Sequence, residues 1–195
     1  HGLTTLRDRH AAFARDGIAR LHFRGKGGRM HDLRIDDGRL VRLLRRCQHL
    51  PGQFLFQYVD DAGTHQPIDS GMINDYLRAT MGADFTAKDF RTWGASRLAL
   101  AVLAAAPPGP DERATAAGAA AAVAQVAKAL GNTPAVCRAS YIHPAVLEAW
   151  REGRLPRGAA DVARPTRRTE TALLSVLRKR SHGMAASGRR RARSQ

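Results

Sequence analysis

The sequence is poor in cysteine, in acidic side chains and in long apolar runs. Each shortage removes a class of protein. Cys47 and Cys137 are the only two cysteines and have no CxxC spacing, so neither a disulfide framework nor a zinc site is expected. That usage fits a reducing, intracellular setting. No stretch of 18 apolar residues occurs, which argues against a spanning helix, and no secretory leader pattern is visible. HExxH, GxSxG, GxGxxG and paired-carboxylate motifs are missing, and Gly25-Lys26-Gly27-Gly28 is not a phosphate-binding GxxxxGK[ST] loop. Acids number 17 against 32 lysines and arginines, a formal charge of +15. Such an excess suits a phosphate-rich partner, whether nucleic acid or an anionic membrane face.

What remains is enough for a fold. With 195 residues, 44% of them hydrophobic, the chain can bury one good core. The expected class is mainly α with a small β-hairpin. Residues 1–17 give a weak pattern, an entering strand or turn followed by a loop. Ile18, Leu21 and Phe23, then a glycine-rich turn, then Met30, Leu33 and Ile35, predict the hairpin, with Lys26 at its tip. Residues 37–50 predict an amphipathic helix with Leu40, Val41, Leu43, Leu44 and Cys47 on its apolar face. Residues 54–59 read as a short strand. Asp69 or Ser70 caps a helix to about Met81 with Ile73, Tyr76 and Leu77 inward. Residues 86–105 and 111–130 are two more helices, separated by Ala106-Pro107-Pro108-Gly109-Pro110. A helix follows over 145–155 and a short one over 169–180, with Leu173, Leu174 and Leu177 on one face. The expected division is a domain over 1–163, a C-terminal helix over 164–180 and a basic disordered tail over 181–195.

The most informative stretch is Leu130-Gly131-Asn132-Thr133-Pro134, continuing to Tyr141 and Pro144. Gly131 can take the left-handed backbone that ends a helix. Thr133 stands where an N-cap belongs, with Pro134 at the first helical position. The result is a helix, a sharp turn and a short helix that presents Tyr141, with Pro144 restarting helix after it. A tyrosine so placed in a basic chain is a candidate nucleophile. Plainer readings stand beside the functional ones. Lys26 suits any soluble turn. Arg91 is either a solvated helical arginine or a guanidinium fork for a phosphate. Arg138 is a phosphate contact or a solvated charge. His143 is a cap or surface residue, and the two cysteines are small buried hydrophobes.

Phe23-Arg24-Gly25-Lys26, Lys88-Asp89-Phe90-Arg91-Thr92-Trp93, and Leu130-Gly131-Asn132-Thr133-Pro134 with Tyr141 together resemble the type IB DNA topoisomerases of poxviruses and bacteria. The ordered match covers roughly residues 1–180. The resemblance implies relaxation of supercoiled DNA without ATP or metal, through a 3′-phosphotyrosyl intermediate. It assigns Tyr141 as nucleophile, Arg91 and Asn132 as donors to the scissile phosphate and Lys26 as proton donor. Lys88, Arg138 and Arg24 become DNA contacts. No cofactor is implied. The implied partner is double-stranded DNA, bound by a monomer in the cytoplasm at the nucleoid, with no membrane. Poxviral and nuclear members carry histidine where Asn132 stands, and bacterial ones asparagine. The family's second catalytic arginine lies upstream of the segment resembling Gly2-Leu3-Thr4-Thr5-Leu6. The chain opens on His1, so a catalytic-domain fragment without that arginine and the N-terminal DNA clamp is expected. The alternatives are a tyrosine recombinase, which usually has His-x-x-Arg where Lys88-Asp89-Phe90-Arg91 stands, and an inactive basic DNA-binding module.

Overall fold

The computed structural model of the chain describes residues 2–82, 84–156 and 167–191, with 180–191 as backbone only. The chain folds as two compact units, His1–Ala87 and Lys88–Gln195. The expected boundary at 163 lies outside the described residues.

In the first unit, strands β1 (Ala11–Phe13), β2 (Ala19–Arg24) and β3 (Met30–Ile35) form an antiparallel sheet in that order. The predicted hairpin is β2–β3, in register with Leu21 opposite Leu33 and Phe23 opposite His31. Its turn needs glycine: Gly27 and Gly28 have φ of 69° and 77°, where a side chain is strained. β1 adds the strand that the weak pattern at 1–17 left open. Helix α1 (Gly38–Gln48) starts at Asp37, whose carboxylate accepts the N–H groups of Arg39 and Leu40. Those two bonds hold the carboxyl below the ordinary carboxylate range. The core of this unit joins Leu6, Ala19, Leu21, Val41, Leu44 and Leu55.

The apolar face of α1 is narrower than its pattern predicts. Val41 and Leu44 are buried, but Leu40 and Leu43 are 51% and 53% exposed. Leu40 lies about 40° and Leu43 about 100° round the helix from Leu44, on the side of the stripe that one small sheet does not cover. The strand at 54–59 is shorter than expected, β4 (Gln57–Val59), and pairs with β5 (His65–Pro67) across the Asp60–Gly63 turn. Helix α2 (Ser70–Met81) begins at Asp69 as predicted. Tyr76, expected inward, is 68% exposed, and Ile73 and Leu77 are only half-buried.

Among the described residues the regular elements of the second unit are helices: α3 (Ala87–Ala104), α4 (Glu112–Leu130), α5 (Pro134–Ser140), α6 (Pro144–Arg151) and α7 (Arg167–Arg191). Its core gathers Leu100 and Leu103 from α3, Val123 and Val126 from α4, Ile142, Val146, Leu147 and Trp150, and Leu173 and Val176 from α7. Small residues let the helices close up. Gly118 of α4 faces Trp150 so tightly that a Cβ there would lie 2.9 Å from the indole. The indole N–H of Trp150 donates to the carbonyl of Ala106 at 2.9 Å. The last helix runs beyond the expected 169–180, through most of the segment expected to be a disordered tail. Residues 192–195 lie outside those described.

Candidate active site

The turn between α4 and α5 is built as its sequence predicts. Gly131 is left-handed, with φ 71° and ψ 32°. The N–H of Asn132 returns to the carbonyl of Ala127 at 2.9 Å, and that of Gly131 to Lys128 at 3.3 Å. This paired closure satisfies two helix-end carbonyls and fixes the Asn132 backbone. Thr133 Oγ1 then accepts the N–H of Val136, and Pro134 opens α5. Tyr141 is the first residue past α5, half-buried. His143 caps α6, its Nδ1 accepting the N–H of Ala145 at 3.2 Å. The capping reading of His143 holds, and Cys137 is a buried residue as expected.

Helix α3 brings Arg91 to this turn. Its Nη2 donates to the carbonyl of Leu130 at 2.8 Å, the last carbonyl of α4. That end of the helix is partially negative, so a cation is favoured there. The guanidinium carbon lies 5.0 Å from the centre of the Tyr141 ring, within cation–π range. One N–H of the guanidinium is thus spent on Leu130, and a guanidinium has five. Two residues beyond that carbonyl, Asn132 Nδ2 is buried without a hydrogen-bond partner among the described residues. Leaving a buried donor unpaired costs roughly 1–3 kcal/mol. Such a group keeps its N–H free to donate to an acceptor from outside the fold. The charge of Arg91 is also felt at Cys137. Burial pushes that thiol up, and Arg91 pulls it the other way.

The structure therefore brings Arg91, Asn132 and Tyr141 together. Lys88 lies one turn before Arg91 on α3, and Arg138 one turn before Tyr141 on α5; both are exposed. Lys26 and Arg24 belong to the first unit, on the β2–β3 hairpin, and both are exposed. That hairpin is closed by the 2.7 Å bond from Gly25 N–H to the carbonyl of Arg29. The His31 ring stacks on Phe23 at 5.0 Å and fills the space where a Cβ on Gly25 would stand.

One residue of the site escaped the sequence reading. Ser96 of α3 is 2% exposed. Its Oγ donates to the carbonyl of Tyr141 at 3.2 Å and accepts the N–H of His143 at 2.9 Å. The available signal was a hydroxyl inside an apolar helix face, between Ala95 and Ala99, because a buried polar group needs a partner. Among the described residues no cluster of three His, Cys, Asp or Glu stands close enough to hold a metal ion. No described helix is long and apolar enough to cross a membrane. The site offers hydrogen-bond donors suited to an anion beside one phenol.

Residues 1–155 match the family described as eukaryotic DNA topoisomerase I, catalytic core. The chain is 30% identical over 157 residues to the DNA topoisomerase 1B of Acanthamoeba polyphaga mimivirus. That alignment covers 77% of the chain and 46% of the relative, so the chain spans about half the relative's length. The relative is viral and does not support the bacterial affiliation that Asn132 suggested.

Proposed function

The chain belongs to the DNA topoisomerase I catalytic-core family, and from that premise we propose that it carries the cleavage and religation chemistry of a type IB enzyme on duplex DNA. The Tyr141 oxygen attacks the phosphorus of one phosphodiester. A bond forms between that oxygen and phosphorus, and the bond from phosphorus to the 5′-oxygen breaks. The products are a 3′-phosphotyrosyl link and a free 5′-hydroxyl. The cut strand swivels, the hydroxyl attacks back, and Tyr141 is released. Each step exchanges one phosphoester bond for another, so no ATP is required.

The side chains have separable duties. The attacked phosphate gains negative charge on its oxygens in the transition state, and preformed donors aimed at them lower the barrier. Arg91 supplies the N–H groups not held by Leu130, and Asn132 supplies Nδ2. The leaving 5′-oxygen needs a proton, which Lys26 delivers from the hairpin tip. As the Tyr141 oxygen bonds to phosphorus, its phenolic proton is released to solvent. Lys88, Arg138 and Arg24 hold backbone phosphates without reading bases. The enzyme works as a monomer, in the compartment that holds the DNA.

The observation that carries this reading is the Arg91 guanidinium 5.0 Å from the Tyr141 ring, with the unpaired Asn132 donor two residues past the carbonyl that Arg91 holds. It is tested with a duplex whose cut strand loses a short 5′-hydroxyl piece, so that religation is prevented. The chain forms a denaturant-resistant protein–DNA band without ATP or metal, and Tyr141→Phe forms none. Salt-sensitive DNA binding without a band from the chain itself sinks the proposal in favour of an inactive DNA-binding module.

A further inference from the structure

The segment that carries Tyr141 is a break between two helices. α5 ends at Ser140 and α6 begins at Pro144, which has no N–H to give. The N–H groups of Tyr141 and Ile142 both return to the carbonyl of Cys137, at 3.0 and 2.9 Å. Two further backbone groups of the break are the Tyr141 carbonyl and the His143 N–H. Both are taken by one side chain from a distant helix, the hydroxyl of Ser96. A hydroxyl has one hydrogen to give and lone pairs to accept with, and Ser96 uses both capacities on this break. Ile142, 3% exposed, anchors the same break in the core.

We infer that Ser96 is a positioning residue for the Tyr141 nucleophile: its hydroxyl bridges the Tyr141 carbonyl and the His143 N–H and so sets the direction in which the phenol points. The inference rests on the proposed cleavage reaction. Ser96 and Arg91 lie five residues apart on α3, so one rigid helix holds Tyr141 at two points, its main chain through Ser96 and its ring through Arg91. A long side chain carries a small backbone tilt to its far end. Misplacing a reacting atom by about 1 Å costs on the order of a hundredfold in rate. Ser96 is buried and touches no phosphate donor, so its effect falls on the chemical step and not on DNA affinity.

Ser96→Ala removes the bridge, and Ser96→Cys leaves a weaker one, since a thiol is a poor donor and acceptor. Three quantities are measured on the whole chain: amide exchange by NMR, DNA affinity by fluorescence anisotropy, and the single-turnover rate of covalent adduct formation. In Ser96→Ala the His143 amide exchanges at least about tenfold faster while the Leu100 and Val126 amides keep their protection. DNA affinity stays within about twofold, and the adduct rate falls about ten- to a hundredfold. Ser96→Cys lies between. An unchanged adduct rate in Ser96→Ala overturns the inference. So does a loss matched by equal loss of DNA affinity or of core protection, which marks Ser96 as merely structural. If the unaltered chain forms no adduct, the proposed reaction falls and the inference with it, a result distinct from either.

Discussion

Gly94 and Gly118 of the second unit sit in helix interiors and meet opposite surroundings. Gly94 of α3 has nothing within 4 Å of the place where a Cβ would stand. Gly118 of α4 has the Trp150 ring there at 2.9 Å. Gly→Ala in a helix interior gains roughly 0.8–1 kcal/mol by propensity. At Gly94 nothing opposes that gain. At Gly118 the methyl must displace an indole that is 4% exposed and tied to Ala106 by its N–H. Overpacking a close-packed site costs roughly 1–3 kcal/mol, which cancels or exceeds the gain. For a unit of this size, about 1 kcal/mol moves Tm by roughly 4–8 °C. Gly94→Ala therefore raises the Tm of this unit by about that amount, and Gly118→Ala leaves it unchanged or lowers it. Differential scanning calorimetry on both variants and the parent decides. Equal rises in both would refute the reasoning, because they would mean that the indole yields without cost.

Two further outcomes follow from the geometry. Arg91→Lys keeps the charge but loses the planar fork and the bond to Leu130; single-turnover cleavage falls by about 10²–10³, the usual cost of removing one oxyanion donor, and a drop under about threefold would contradict the role given to Arg91. His10 accepts the N–H of Arg7 at Nδ1, and burial, then the charges of Arg9 and Arg7, hold its pKa below the ordinary histidine value. Between the two values the unfolded chain binds more protons than the folded one, so the stability of the first unit falls as pH drops through that window. His10→Asn flattens the slope of Tm between about pH 7 and about pH 5, and parallel slopes in parent and variant would oppose this.

Local chemistry was legible in the sequence where it is local in the fold. Gly131, Thr133 and Pro134 announced the turn before Tyr141, because helix ends are decided by a few neighbouring residues. Asp69 and the glycine-rich hairpin were readable for the same reason. Burial was less legible. Leu40, Leu43 and Tyr76 fit helical stripes, yet the unit has no partner surface wide enough to cover them. Strand β5, His65-Gln66-Pro67, has no apolar alternation and forms because the Asp60–Gly63 turn sends it back along β4. Asn132, Arg91 and Tyr141 were named from motifs, and the fold places them at one turn. Ser96 was not, since its bonds span more than forty residues of chain and no spacing rule announces them.

The claim on which the account depends is that Tyr141, of three tyrosines in the chain, takes the DNA phosphate. The direct measurement is mass spectrometry of the trapped adduct after digestion by protease and nuclease. The account predicts a nucleotide remnant on the peptide containing Tyr141, joined through the 3′-phosphate of the cut strand. A remnant on Tyr58 or Tyr76, or one joined through a 5′-phosphate, would contradict it.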